Sequence, residues 1–405
     1  MGGAHSTEGD LRRLAEHSAT RPERQAAFLR LRASLVRSPS RAELQGAIAS
    51  VDAQRFAAWA PPPAGASPLE AAVLADRVRG CLFGAALGDA AGLACEFLTA
   101  GQVAEFYGPS ADFTPGREVF PDVHRTMWAA GDWTDDTDQL ILMLRSLLQS
   151  GGRADPANFA AQLLAWRAAG FPELGDEGCV GLGQATKAVL NDPLFAADPH
   201  AAAARHTLRT PSNGGVMRTA AAGVPRFWDE EAVLEAAASL CRTTHSDPRC
   251  VASCAAVSVC ISRLLRGLDE GGASLQEGVV GPALERAEAL LVAAGEGEAV
   301  EDLARHARAL SLEELLLDEA GRIGYTFKCL GSGLWALRSD RGFQEALNEV
   351  IRCGGDADTN GAVAGALLGC RLGFSQLPKQ WVAGMPYASW LEAHAQKVIF
   401  MLGLR

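Results

Sequence analysis

The feature that most constrains this chain is an acidic turn that leads directly into an apolar segment. Residues 131–139 read GDWTDDTDQ, and residues 140–144 read LILML. A single residue such as Thr134 or Asp135 is enough to cap a helix, and acidic side chains in a first turn complement the helix dipole. Capping leaves the consecutive carboxylates of Asp135 and Asp136 unexplained, so we expect this pair to have a further role.

A second turn of the same kind occurs far downstream, where residues 354–360 read GGDADTN and open a run of small residues. If the two turns meet, each pair of carboxylates at about 4 Å repels by about 4 kcal/mol at an effective dielectric constant of about 20. Binding a divalent cation relieves this better than protonating every acid at neutral pH. Oxygen ligands select hard cations such as Mg²⁺, Mn²⁺ or Ca²⁺. Neighbours on a helix point about 100° apart, so Asp135 and Asp136 would serve two adjacent ions.

The composition narrows the range of partners. The net charge of −11 argues against general binding to nucleic acid or to an anionic membrane, although a nucleotide in a local pocket is compatible with it. The ten cysteines lack CxxC spacing, and the closest set, Cys250, Cys254 and Cys260, lies on an apolar run typical of buried free thiols. No apolar targeting segment opens the chain, and no uncharged apolar run is long enough to span a bilayer. We therefore expect a reducing, cytoplasmic location.

Two parts of the chain differ in character. Residues 1–68 are predicted to be a helical extension that ends in the Pro-rich linker 61–68, with capping boxes at 20–23 and 40–43 ahead of apolar residues at helical spacing. This extension could pack on the main core, recognise a partner or cover the active site. Residues 69–405 are predicted to be the main domain.

The main domain is predicted to be all-α. It opens with a long helix in which Gly80, Gly84, Gly88 and Gly92 recur every four residues, a pattern that indicates tight crossing by neighbouring helices. Residues 101–130 read as a long loop that helps to wall the site. Further helices are predicted over residues 138–149, 156–169, 180–190, 218–224, 229–243, 247–268, 280–294, 300–310, 311–320, 325–337, 343–352, 360–372 and 390–402.

Polar segments interrupt these helices at three places. Residues 178–186, 212–218 and 243–248 are Gly-rich or donor-rich turns, and the third carries His245 just before a helix. Backbone N–H groups at helix starts bind anions. Several such turns facing one pocket would suit a pyrophosphate.

Five motifs in chain order resemble those of the ADP-ribosylglycohydrolases. They are GxxxGDAxG over residues 84–92 with Glu96 and Phe97, WTDDT over 133–137, NGGxMR over 213–218, THSDP over 244–248 and GGDADT over 354–359. The resemblance runs in the family's order from residue 77 to residue 373 and does not cover residues 1–68.

The resemblance implies an all-α fold with a centre of two Mg²⁺ ions, Mn²⁺ being the alternative. The implied metal ligands are Thr134, Asp135, Asp136, Asp356, Asp358 and Thr359. The implied catalytic residues are Glu96, Asp135 and Asp358. The implied substrate contacts are Asp89, Gly183, Asn213, Gly214, Gly215, Met217, His245 and Tyr325.

The activity implied is hydrolysis of the glycosidic bond at the distal ribose, releasing ADP-ribose from modified side chains, with arginine the first choice. The partners would then be an ADP-ribosylated protein or ADP-ribose. Two positions depart from the family's pattern, Gly181 where an acid is frequent and a more basic segment at residues 326–329, and either could change the accepted linkage.

Three alternatives stay open. The protein could be a non-catalytic binder that holds ADP-ribose or a modified protein in the same pocket, or an immunity protein that neutralises a cognate ADP-ribosyltransferase by stoichiometric binding through residues 1–68. It could instead keep only a vestigial site, or be a phosphatase-like two-metal hydrolase. The acceptor side chain and the oligomeric state also stay open.

Overall fold

The structure is a computed structural model that describes residues 3–16, 18–54, 56–270, 272 and 274–404. Every regular element in these ranges is helical, and the prediction of an all-α fold is confirmed. The α-helices are α1 (Gly3–Ala15), α2 (Arg21–Leu35), α3 (Arg41–Ala53), α4 (Ala71–Gly92), α5 (Ala100–Tyr107), α6 (Asp135–Gln149), α7 (Pro156–Ala169), α8 (Gln184–Leu190), α9 (Pro199–Thr207), α10 (Glu230–Arg242), α11 (Pro248–Leu265), α12 (Gly281–Ala293), α13 (Ala299–Ala307), α14 (Thr326–Arg338), α15 (Phe343–Arg352), α16 (Ala357–Leu372), α17 (Lys379–Gly384) and α18 (Ala388–Met401). Shorter turns of 3₁₀ helix lie at His124–Met127, Pro172–Leu174, Val216–Gly223, Glu313–Leu315 and Phe374–Gln376, and a π-helical turn lies at Gln276–Val280.

The structure corrects several predicted elements. The predicted helix 311–320 is wrong, because only the 3₁₀ turn Glu313–Leu315 forms before Leu316 adopts a left-handed φ of 47°. The predicted helix 218–224 is 3₁₀ helix, and α9 and α17 were not predicted. The predicted loop 101–130 contains α5, whose start is stabilised by a capping box that joins Thr99 to Gln102.

The centre of the fold is the crossing of α4 with α16. Four backbone positions on α4 face α16 so closely that a Cβ at Gly88 would lie 1.9 Å from the carbonyl oxygen of Gly361. The contacts run antiparallel, from Gly80 against Gly369 to Gly92 against Ala357. The predicted tight crossing is therefore confirmed, and it brings the end of α4 beside the start of α16.

Helix α11 belongs to the core. It is long and apolar enough to cross a membrane by length and composition, but 83% of that window is buried inside the protein. Its cysteines Cys250, Cys254 and Cys260 are buried free thiols, as predicted.

The first three helices pack on the rest of the chain at two places. Helices α1 and α2 form a small apolar cluster in which Phe28 and Leu31 pack with Val119 of the long connection before α6. Helix α3 contributes Ala47 and Val51 to the main core.

Candidate active site

Asp89, near the end of α4, holds the first acidic turn in place. Its fully buried carboxylate accepts hydrogen bonds from the backbone N–H groups of Thr134 and Thr137, at 2.9–3.1 Å, and from the Thr137 hydroxyl at 2.5 Å. Burial raises the pKa of Asp89 to about 6, while the hydrogen bonds from the two threonines act in the opposite direction. The predicted substrate contact Asp89 thus lies behind the turn, at the positive end of α6.

The two acidic turns meet, because α6 and α16 both start beside the end of α4. The carboxylate oxygens of Glu96, Asp356 and Asp358 lie within 4.8 Å of one another. Asp135 and Asp136 line the same cavity from the start of α6. The five carboxylates therefore converge as the two-turn hypothesis requires.

The donor set at this cluster fits a hard cation. Oδ2 of Asp136 and Oδ1 of Asp358 are buried and have no hydrogen-bond partner. Burial first, and then repulsion between neighbouring carboxylates, raises the pKa of Asp135, Asp136 and Asp358 well above the usual range. Buried acceptors that lack a donor are costly, and an oxygen-seeking divalent cation would satisfy them.

The acids lie at one wall of a cavity of about 580 Å³, a size in the range of small-molecule sites. The Gly-rich turn 181–186 and the segment before the Val216–Gly223 turn also line the cavity. Residues that line the cavity and were not predicted individually include Phe97, His124, Met127, Leu182 and Gln184. His124 and Met127 lie in the connection that was expected to wall the site, but no spacing pattern singled them out.

The predicted contact residues divide into those in the cavity and those behind it. Gly183, Asn213, Gly214, Met217, His245 and Thr359 line the cavity. Thr134 caps α6, accepting from the Asp136 N–H at 3.3 Å, and does not line the cavity. Gly215 packs against Cys241 and Cys254. Tyr325 is buried, and its hydroxyl donates to Asp302.

The two departures from the family's pattern have local explanations. Gly181 has a left-handed φ of +83°, and an added Cβ would lie 2.9 Å from Oδ1 of Asp135, so a side chain there would be strained and would displace Asp135. The ammonium of Lys328 donates to Glu319 at 2.6 Å and to the Leu316 carbonyl at 2.6 Å. That positive charge is therefore paired outside the cavity.

A chain of buried side chains links the acids to His245. Gln139 donates to Asp135 Oδ2 at 2.7 Å and accepts from Nη1 of Arg218. Nη2 of Arg218 donates to the Thr244 hydroxyl, which lies 2.7 Å from Nδ1 of His245. Since a guanidinium can only donate, Thr244 accepts from Arg218 and its own hydrogen is available for Nδ1.

Donation from the Thr244 hydroxyl to Nδ1 favours the His245 tautomer that carries its proton on Nε2. Burial, followed by the charge of Arg218, lowers the pKa of His245 to about 3, so the ring is neutral at physiological pH. With Nδ1 as acceptor, the proton lies on Nε2, beside Gly214, where an added Cβ would be 2.9 Å away. In this tautomer His245 presents an N–H donor to the cavity, and the absence of a side chain at Gly214 leaves room beside that donor.

Replacing Thr244 with valine removes the hydroxyl beside Nδ1 of His245, so the preference for the Nε2-protonated tautomer is expected to be lost. The buried Nη2 of Arg218 would lose its acceptor, at a cost of about 1–3 kcal/mol in the free energy of unfolding. Ring ¹⁵N chemical shifts of His245 report the tautomer, and urea unfolding reports the stability. Thr243→Val is the matched control, since the Thr243 hydroxyl donates at 3.4 Å to Ser239 on its own helix. Identical His245 ring shifts in Thr244→Val and in the unsubstituted protein would contradict the assignment.

The fold and the site define an all-α hydrolase with an acid-walled pocket. A profile of the ADP-ribosylglycohydrolase family matches residues 70–403, and the chain belongs to that family. It is 26% identical over 325 residues to an ADP-ribosylarginine hydrolase of Pseudomonas putida, covering 80% of this chain and 78% of that protein. It is 24% identical over 317 residues to the ADP-ribosyl-[dinitrogen reductase] glycohydrolase of Rhodospirillum rubrum, covering 76% of this chain and 90% of that protein.

A solved structure is also similar. The chain named as an ADP-ribosylglycohydrolase-related protein complex aligns with a TM-score of 0.55 and 27% identity. The alignment covers 81% of this chain and 99% of that one. The family match begins at residue 70, immediately before α4, so helices α1–α3 lie outside it.

Proposed function

We propose that this protein is a metal-dependent hydrolase that removes ADP-ribose from modified arginine side chains of proteins. The observation that carries the proposal is the convergence of Glu96 with the two acidic turns in a cavity that His245 also lines. The choice of arginine is supported by the relative from Pseudomonas putida, named an ADP-ribosylarginine hydrolase.

The residues that would hold two Mg²⁺ ions, or Mn²⁺, are the acids of the two turns with Thr359. When bound, such ions supply Lewis-acid stabilisation and lower the pKa of a bound water. Asp136 and Asp358 fit this role because each presents a buried oxygen without a donor. Asn213 supports the second turn, since its side-chain amide donates to Asp356 at 2.9 Å.

The other side chains would bind and orient the substrate. The N–H of His245 and the Gly-rich turn before α8 face the cavity, where they can donate to the oxygens of a diphosphate. Cleavage breaks the bond between C1 of the distal ribose and the side-chain nitrogen, and a water oxygen bonds to C1. Positive charge develops on the sugar in the transition state, and the surrounding carboxylates stabilise it.

Glu96 is the residue we assign to proton transfer. It is buried, it lines the cavity, and one of its carboxylate oxygens lies within 4.8 Å of carboxylate oxygens of Asp356 and Asp358. It can take a proton from the attacking water and return it to the leaving nitrogen. General acid–base groups contribute about 10²–10⁴-fold to rate.

Glu96→Gln is therefore expected to reduce turnover by about 10²–10⁴-fold. Purified protein is incubated with Arg-linked and Ser-linked ADP-ribosylated substrates, with and without Mg²⁺, and released ADP-ribose is measured. Glu105→Gln, at an exposed position on α5, is the control and should keep full activity. Release from neither linkage by the unsubstituted protein, with Mg²⁺ or Mn²⁺ present, would refute the proposed function.

A further inference from the structure

Glu96 is held in place by a segment that lies far from it in sequence. Its Oε2 is 2.6 Å from Nε2 of His124, in the 3₁₀ turn His124–Met127. The next residue, Phe97, has a left-handed φ of 62°, which is uncommon for a bulky side chain and persists only where the surroundings enforce it. The Phe97 N–H donates to the Gly355 carbonyl at 2.6 Å. The position of the Glu96 carboxylate therefore depends on its neighbours.

Arg125 joins the His124 turn to the backbone around Glu96. Its buried guanidinium donates to the carbonyls of Leu93 at 2.9 Å and Ala94 at 3.1 Å, and to the carbonyl of Glu96 itself. Arg125 also pairs with Asp122, and moving these carbonyls away would leave buried N–H donors of its guanidinium without acceptors. The two segments are thus coupled: a displacement of the His124 turn would displace Glu96.

The ring of His124 is fixed as well. It contacts two aromatic rings, with centroid distances of 4.9 Å to Phe97 and 4.8 Å to Trp128. These contacts restrict rotation of the ring, and its Nε2 faces Glu96. His124 is therefore a positioning residue for Glu96.

Helix α2 supports this turn from the outside. Arg32 donates to the Trp128 carbonyl, and Arg24 donates to the Pro121 carbonyl at 3.3 Å. Arg21 pairs with Glu118 at 3.2 Å. These arginines share one face of α2 with Phe28, because residues 21, 24, 28 and 32 are spaced by three or four. One face of α2 therefore contacts the connection that carries His124.

We propose that α2 is a positioning element for Glu96, acting through the 118–128 connection and His124. The inference rests on the proposed function in one respect, that Glu96 transfers the proton in the reaction. Helix α2 lies outside the family match, so the proposed support reaches the site from outside the family domain. A misplacement of about 1 Å can cost about 100-fold in rate, so partial loosening should reduce turnover measurably.

The test is the double variant Arg24→Met/Arg32→Met in the full chain. Turnover is expected to fall about tenfold, while KM changes by less than about twofold, because uniform binding of substrate is unaffected. Amide hydrogen exchange should accelerate over residues 93–98 and 121–128. In a Glu96→Gln background the double variant should cause little additional loss, because both changes act through one carboxylate.

Arg30→Met is the matched control on the same helix. Arg30 pairs with Asp10 at 2.7 Å and makes no bond to the connection, so its loss tests the removal of an α2 ion pair alone. Kinetics and exchange equal to those of Arg30→Met would overturn the positioning role. If the unsubstituted protein hydrolyses neither linkage, the proposed function fails, and hydrogen exchange at 93–98 still decides whether α2 supports the Glu96 segment.

Discussion

Gly88→Ala is expected to destabilise the protein by about 3 kcal/mol or more, because the crossing of α4 with α16 leaves no room for a methyl group at this position. The added Cβ would lie 1.9 Å from the carbonyl oxygen of Gly361 and 2.3 Å from its carbon. Both are backbone atoms of α16, so no side-chain rotation can relieve the overlap. The two helices would have to separate along the crossing that buries much of the core.

The effect should reach the active site. Gly88 directly precedes Asp89, whose carboxylate holds the start of α6, while Gly361 lies one turn after Asp358. Separating the helices would therefore pull the two acidic turns apart. We expect any folded Gly88→Ala protein to bind Mg²⁺ more weakly, measured by calorimetry alongside urea unfolding.

Gly46→Ala is the control, and it is expected to change the free energy of unfolding in the opposite direction. It is exposed in the middle of α3, and a Cβ there would meet nothing within 4 Å. Alanine at this position should stabilise the protein by about 0.5–1 kcal/mol, because it restricts the unfolded chain and favours helix. Equal unfolding free energies for Gly88→Ala and the unsubstituted protein would show that α4 and α16 are not in backbone contact.

The sequence predicts this crossing only in part. Glycine at every fourth position of residues 80–92 indicates a close approach on one face of α4, but it does not identify the approaching helix. In the sequence, the small-residue run 361–369 indicates only a helix that continues from an acidic turn, and nothing in it indicates that it packs against α4. Pairing two helices that are far apart in sequence is a property of the whole core.

The candidate active site could likewise be predicted from the sequence only in part. Caps and acidic turns are local, so Asp135, Asp136 and Asp358 could be predicted from short patterns together with the family resemblance. The direction of a side chain depends on how its helix packs, and this is why Asp89 lies behind the turn. His124 contacts Glu96 through an irregular connection that carries no periodic signal, and no motif could have identified it.

The second large effect concerns the ionisation of the acid cluster. Burial and mutual repulsion raise the pKa of Asp136 and Asp358 above the value of about 4 expected in an unfolded chain. As the pH rises above about 4, these groups ionise in the unfolded chain first, so unfolding releases protons and the metal-free fold loses stability with rising pH. A cation that binds the ionised carboxylates restores that stability. The thermal shift caused by Mg²⁺ should therefore be larger at pH 8 than at pH 6.

Asp358→Asn is expected to raise the stability of the metal-free protein and to lower turnover. It removes one buried carboxylate whose Oδ1 has no donor, so the metal-free protein should melt at a higher temperature at pH 8 than the unsubstituted protein. The Mg²⁺-induced shift should largely disappear, and turnover should fall at least about 100-fold, since metal-ion stabilisation contributes several kcal/mol. Glu235→Gln, which neutralises an exposed carboxylate on α10, should leave both the shift and turnover unchanged. An Mg²⁺ shift retained in Asp358→Asn would mean that Asp358 does not bind the cation, because a buried amide in place of the carboxylate removes the charge that a hard cation requires.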